Sequence, residues 1–137
     1  MFVGRRKITL ENKIDHVLAM KNTGVRGLEE DPAGLRTGNN SGYQAINLAY
    51  HFGAKQIYLL GYDMKVSTMT HWNHRPEYQP LNAFQQTLQQ MMLPNFPSLK
   101  APLDAAGVSV INCTPGSALK VWPSQSLDSV IKGLRHA

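Results

Sequence analysis

An amphipathic helix followed directly by a buried strand is the pattern that most limits the folds open to this chain. Apolar residues recur at helical spacing after Ser41, and Gly53 marks the end of the helix near Phe52. The segment Lys55–Tyr62 is a short apolar run with β-branched and aromatic residues, typical of a strand covered on both faces. Since a helix leading into such a strand is part of a β–α–β unit, we predict an α/β fold with a parallel sheet flanked by helices.

The rest of the chain predicts further elements around this unit. We expect the strand Lys55–Tyr62 and a strand at Val108–Asn112 to be parallel neighbours, with the helix from Ser41 on one face of the sheet. The other predicted elements are strands at Lys7–Leu10 and Ile14–Met20, a long polar loop from Lys21 to Gly38, a helix at Leu81–Met92 interrupted by Pro94 and Pro97, a helix from Pro97 to Gly107, a helical turn at Ser117–Val121, and a last helix at Ser126–Leu134 capped by Ser126.

Composition places the chain among ordinary globular proteins. The length of 137 residues fits one domain spanning residues 1–137, and 42% of the residues are hydrophobic. No apolar run approaches the roughly 20 residues of a membrane span, and no signal-peptide pattern follows Met1, so we expect no membrane partner. The single cysteine, Cys113, indicates a reducing, cytoplasmic compartment. The net charge is +5, and the basic residues are scattered apart from Arg5-Arg6-Lys7, without interleaved aromatics, which argues against a nucleic-acid partner.

A polar, glycine-containing turn precedes the first predicted helix. It consists of Gly38, Asn39, Asn40, Ser41 and Gly42, and the S-x-x-Q pattern of Ser41 to Gln44 predicts Ser41 as the N-cap. Helix N-termini bind phosphate or carboxylate through free N–H groups and the helix dipole, and glycines allow close approach of a ligand. Two interpretations remain open for this turn: an anion site, or a well-capped helix with a tight turn before it.

Two further segments hold candidate catalytic groups. Asp63 follows the strand Lys55–Tyr62, at the edge where open α/β sheets bind ligands, although a strand-end carboxylate also serves as a turn former. The next loop contains His71, Trp72 and His74. The histidines are candidates for acid–base chemistry or substrate contact, for a surface or stacking role, and, with the weakest support, for metal binding. We expect no metal or cofactor beyond a nucleotide or nucleotide-sugar ligand.

The last predicted strand also ends in a polar turn with glycine. Asn112, Thr114 and Ser117 are candidates for hydrogen bonds to a base or ribose. Cys113 has no neighbouring base in sequence, so we interpret it as a small buried residue rather than a nucleophile. A ligand held by both turns would lie between Gly38–Ser41 and Asn112–Ser117.

Three of these motifs, with the His-Trp loop, carry a resemblance to known proteins. The runs Thr37–Tyr43, Gly53–Met64 and Val110–Pro115 resemble uncharacterised phage and prophage proteins related to the motility-accessory-factor and 6-hydroxymethylpterin-pyrophosphokinase-like family. More distantly, the order of motifs is similar to that of bacterial sialyltransferases that use a CMP-activated sugar. The resemblance covers about residues 28–131 and implies a Rossmann-like sheet in a bacterial host's cytoplasm.

The same resemblance implies roles for individual residues. In the sialyltransferases a serine-glycine helix start, a strand ending in glycine and aspartate, a loop histidine and a Cys-Pro-x-Ser turn line the nucleotide-sugar site. These map onto Ser41 and Gly42, Gly61 and Asp63, His71 or His74, and Asn112 to Ser117. The family's first strand and its Gly-x-Gly-Pro-Ser phosphate loop have no match in Met1–Met20, so the chain looks like the C-terminal part of the family's domain.

These observations leave three classes of function. The first is a nucleotide-dependent transferase of glycosyl type, with Asp63, His71 and His74 in its catalytic site. The second is a nucleotide- or sugar-binding module without turnover, and the third is a phage accessory or structural protein that keeps only the fold. Because a missing first strand leaves a sheet edge or apolar face uncovered, we also expect a homo-oligomer.

Overall fold

The computed structural model describes residues 19–66 and 81–135, which contain four strands and four α-helices. In chain order these elements are β1 (Lys21–Gly24), β2 (Gly34–Arg36), α1 (Ser41–His51), β3 (Gln56–Leu59), α2 (Leu81–Thr87), α3 (Pro97–Ala105), β4 (Ser109–Asn112) and α4 (Leu127–Leu134). Between α2 and α3 the backbone continues as a π-helical segment, Leu88–Met92, and a 3₁₀ turn, Leu93–Asn95.

The strands form two parallel pairs. β3 pairs with β4, with Gln56 opposite Ser109 and Leu59 opposite Asn112, which confirms the predicted parallel neighbours. β1 pairs with β2 through a register that shifts after Asn22. The described chain is therefore a mixed helix and strand structure with small parallel sheets, as predicted at the level of fold class.

One apolar cluster joins α1 and α3 to the β3–β4 pair. Tyr43 and Ile46 of α1 and Leu99 and Leu103 of α3 are buried in the same cluster as Leu59, Val108, Val110, Phe96, Leu119 and Trp122. Full burial of one such aliphatic side chain stabilises a fold by roughly 1.5–3 kcal/mol. The helix from Ser41 thus packs against the strand pair, in agreement with the prediction.

The predicted loop from Lys21 to Gly38 is wrong, because β1 and β2 lie within it. These strands have four and three residues and include glycine and asparagine, so they carry no alternating apolar pattern. Their pairing continues through backbone hydrogen bonds from Thr37 to Gly24 and from Gly38 to Val25, both 2.9 Å. The strand predicted at Lys7–Leu10 lies outside the described residues. So does Ile14–Met20 apart from its last two residues, which are not in a strand.

The helices differ from prediction at two places. The chain stays helical from Leu81 to Asn95 as α-, π- and 3₁₀-helix in turn, so Pro94 does not interrupt it. The second helix begins at Pro97, as predicted. Proline is tolerated in the first turn of a helix because its missing N–H would have no helical acceptor there. Ser117–Val121 is not helical, since the Ser117 hydroxyl accepts the Leu119 N–H instead (3.0 Å).

The final helix agrees with the prediction. The Ser126 hydroxyl caps α4 by accepting the N–H of Ser129 at 3.2 Å. Among the helices of residues 19–66 and 81–135, none is long and apolar enough to cross a membrane.

Candidate functional site

Three segments meet at the carboxyl edge of β3 and β4, and Tyr62 joins them. Its N–H donates to Thr114 Oγ1 at 2.9 Å, and its hydroxyl donates to the carbonyl of Gly42 at 3.0 Å. The Ser117 hydroxyl donates to the Tyr62 carbonyl. The next carbonyl, that of Asp63, accepts the Ala118 N–H at 2.8 Å. The start of α1, the end of β3 and the turn after β4 are therefore neighbours, as the sequence predicts for a parallel pair.

Asn40, not Ser41, caps α1. Asn40 has an extended backbone (φ −153°, ψ 156°), and its Oδ1 accepts the Tyr43 N–H at 2.8 Å. Ser41 is the first helical residue and its side chain is exposed. The S-x-x-Q pattern therefore placed the cap one residue too late, because the non-helical backbone that a cap requires occurs at Asn40. Asn40 Nδ2 is buried and has no hydrogen-bond partner in the described part of the chain.

The glycines of this turn are required by aromatic packing. A Cβ at Gly38 would lie 2.0 Å from Tyr43 Cγ, and the residue has a φ of +53°. A Cβ at Gly42 would lie 2.9 Å from Tyr62 Cε1. The Gly38 carbonyl accepts a hydrogen bond from Asn95 Nδ2 at 3.0 Å. The exposed Asn39, with a φ of +59°, donates from Nδ2 to a backbone carbonyl, that of Met91, at 3.2 Å.

The polar side chains after β4 are buried and hydrogen-bonded within the protein. Asn112 accepts the Thr114 N–H at 3.0 Å and donates to the Leu119 carbonyl at 3.1 Å. Thr114 Oγ1 accepts the Tyr62 N–H, and Ser117 binds Tyr62 and Leu119 as above. These side chains, predicted as ligand contacts, therefore hold the turn in place, with Tyr62 between it and the start of α1.

An open cleft of about 540 Å³ lies beside Thr114 at the same edge. The segment after β4 forms one wall. Its Ser124 pairs with Asn112 as in a parallel sheet, and the Gln125 N–H donates to the Asn112 carbonyl at 3.2 Å. The lining residues are Leu60, Gly61, Cys113, Thr114, Pro115, Ser124, Gln125, Ser126, Leu127 and Asp128. A lining of apolar side chains with a few polar ones is typical of sites for small molecules.

The predicted catalytic residues are only partly described. Asp63 is exposed four residues after the end of β3, next to Tyr62 in the chain. His71 and His74 lie outside the described residues, so their place relative to Asp63 stays a prediction. Within residues 19–66 and 81–135, no three His, Cys, Asp or Glu side chains are grouped so that they would hold a metal ion.

Sequence reasoning missed the residues that organise the site. Tyr62 lies in the motif Gly61-Tyr62-Asp63, but the sequence pattern predicts it only as the last residue of a buried strand. Burial raises the pKa of its hydroxyl to about 12. Lys65 was also missed: its Nζ lies 3.2 Å from the position that a Cβ at Gly116 would take, which puts a cation over the turn after β4.

Comparisons with protein-family models, curated proteins and solved structures found no significant match to this chain.

Proposed function

We propose that this chain binds a nucleotide or nucleotide sugar at the carboxyl edge of β3 and β4, in a Rossmann-like arrangement. The observation that carries the proposal is the meeting of three segments beside an open cleft at that edge: the start of α1, Gly61–Asp63 and the turn after β4. In α/β proteins this edge is where ligands bind. The sequence resemblance to nucleotide-sugar enzymes favours the same ligand class.

The chemistry around the edge suits the two parts of such a ligand. Leu60 and Leu127 line the cleft with apolar side chains, and Thr114, Ser124 and Ser126 line it with hydroxyl-bearing ones, a mixture that fits a base or sugar ring. At the start of α1, Asn40 Oδ1 takes the Tyr43 N–H, and the N–H groups of Ser41 and Gly42 lack helical acceptors and attract phosphate. The Lys65 ammonium near Gly116 adds a positive charge at the turn after β4, which favours an anionic ligand at this edge.

Glycosyl transfer is the finer form of this proposal. Asp63, with His71 or His74 as base, would then act on the sugar, as the resemblance implies. A base acts in the transition state, so replacing both histidines should reduce turnover more than affinity.

A second candidate is an accessory protein that keeps the fold without turnover. Hydrogen bonds within the protein already engage the side chains of Asn112, Thr114 and Ser117, which favours a structural role for them. Under this alternative no nucleotide binds at the edge.

A ligand screen followed by calorimetry tests the proposal. Thermal shift with CMP, CDP, UDP, GDP and their sugars should identify a binder, which stabilises the fold by about 2.7 kcal/mol at a hundredfold excess over Kd. Gly42 is unsuitable as the test position, because a side chain there would strike Tyr62 and disturb the fold itself. Gln125 is exposed and lines the cleft, so Gln125→Trp should fill the cleft while α1 and the strand pair stay intact.

The expected result is a loss of affinity of about tenfold or more in Gln125→Trp, measured by isothermal titration. Gln90→Trp is the matched control, since Gln90 is exposed and does not line the cleft. Equal affinity in both variants would place the ligand elsewhere. The absence of any binder in the screen would favour the accessory protein.

A further inference from the structure

The last helix exposes an apolar stripe. Leu127, Ile131 and Leu134 are 39%, 39% and 55% exposed, and their spacing of four and three residues puts them on one side of α4. Val130 is the only residue of α4 that is buried. The helix is therefore anchored along one edge, while most of its apolar surface faces solvent.

The exposed apolar surface continues beyond the helix. Leu60, which follows β3, is 56% exposed and lines the same cleft as Leu127. Isolated apolar residues are common on protein surfaces, whereas a continuous patch marks an interaction surface. We call Leu60, Leu127, Ile131 and Leu134 the α4 stripe.

We propose that the α4 stripe binds the same stripe of a second copy of this chain, with the two α4 helices antiparallel about a two-fold axis near Ile131. In this arrangement Ile131 lies against its own copy, and Leu127 of one chain lies against Leu134 of the other. An isologous contact of this kind requires a self-complementary surface. The spacing of the stripe on both sides of Ile131 meets that requirement.

The charges of α4 favour the second copy as the occupant. Asp128 lies near the start of the helix, and Lys132 and Arg135 lie near its end, on the same flank of the stripe. A two-fold axis perpendicular to the helices places this flank of one chain next to the same flank of the second copy, running in the opposite direction. Asp128 then faces Arg135 and Lys132 of the second copy, whereas parallel helices related by a two-fold axis would hold these flanks on opposite sides of the pair and leave the charges unmatched. Within the described residues, none of these three side chains has an ion-pair partner in its own chain.

The size of the surface indicates a weak dimer. A helix of eight residues is about 12 Å long, so even with Leu60 the contact falls below the standard interface of about 1,600 Å². We expect a dissociation constant in the micromolar range. The inference does not rest on the proposed function, although Leu60 and Leu127 also line the cleft, so the dimer would cover part of the cleft.

Sedimentation velocity over about 1 to 300 µM tests the proposal, since this range spans micromolar dissociation constants. The wild-type chain should shift from monomer toward dimer as concentration rises. Ile131→Glu places two carboxylates at the axis and should raise the dissociation constant about tenfold or more. Phe52→Glu is the matched control, because Phe52 is 80% exposed at the end of α1, away from the stripe, and this variant should dimerise as wild type does.

A charge swap tests the antiparallel geometry. Asp128→Arg should weaken the dimer, and the double variant Asp128→Arg with Arg135→Asp should restore it, because the exchanged charges again face each other. Circular dichroism checks that every variant is folded. A monomer at all concentrations, dimerisation unaffected by Ile131→Glu, or failure of the double variant to recover would each overturn the proposal.

Discussion

At the scale of single residues, Gly38 was predicted as a ligand contact, but glycine is required there by packing against Tyr43. Its φ of +53° and the Tyr43 ring 2.0 Å from a Cβ position leave no room for a side chain. We predict that Gly38→Ala lowers the free energy of unfolding by about 3 kcal/mol or more, from backbone strain plus overpacking of a buried ring.

Gly53→Ala is the control, because Gly53 also has a positive φ (+79°) but no atom within 4 Å of a Cβ. The free energy of unfolding of this variant should fall by only about 1 kcal/mol, the cost of the backbone conformation alone. Urea unfolding measures both. Similar losses would show that the Tyr43 ring moves aside.

At the scale of elements, Asn47 attaches α1 to the β1–β2 region. This side chain is fully buried; its Oδ1 accepts the N–H groups of Glu29 and Arg36 at 3.0 and 3.3 Å, and its Nδ2 donates to the Glu29 carbonyl at 3.0 Å. We predict that Asn47→Leu lowers the free energy of unfolding by about 3 kcal/mol, because buried backbone groups lose their partners.

The control for this prediction is Gln44→Ala on the same helix, where the side chain is only partly buried. This substitution should change the free energy of unfolding by about 0.5 kcal/mol, as for most substitutions away from the core. If the two variants unfold at the same denaturant concentration, Asn47 does not connect the elements.

At the scale of the whole molecule, two buried tyrosines make the free energy of unfolding depend on pH. The rings of Tyr43 and Tyr62 lie 5.5 and 6.3 Å from that of Phe96, between centroids. Burial raises the pKa of both hydroxyls, that of Tyr62 to about 12. A raised pKa in the folded state means that the protonated form is favoured there. The stabilisation is therefore complete below the ordinary pKa near 10 and is lost as pH rises toward 12.

We predict that ionisation of Tyr62 alone lowers the free energy of unfolding by about 1 kcal/mol between pH 9 and pH 11. Tyr62→Phe removes this contribution and flattens the pH dependence, while the lost hydrogen bond to Gly42 costs about 1 kcal/mol at neutral pH. Urea unfolding at pH 8, 9 and 11 measures both effects. A variant with the wild-type pH dependence would contradict this assignment.

The sequence alone determined the elements whose signals are local. The apolar periodicity after Ser41, the short apolar run that becomes β3 and the Ser126 cap of α4 depend on residues a few positions apart, and each predicted element is present. The parallel pairing of β3 and β4 followed from the helical crossover between them.

Only the tertiary structure decided what the polar residues at the site do. Asn40 caps α1 because its backbone is extended, and Thr114 and Ser117 bind Tyr62, more than fifty positions away along the chain. A hydrogen-bonding side chain looks the same in sequence whether its partner is a ligand or a distant backbone group. Its role becomes visible only when folding brings that partner within about 3 Å.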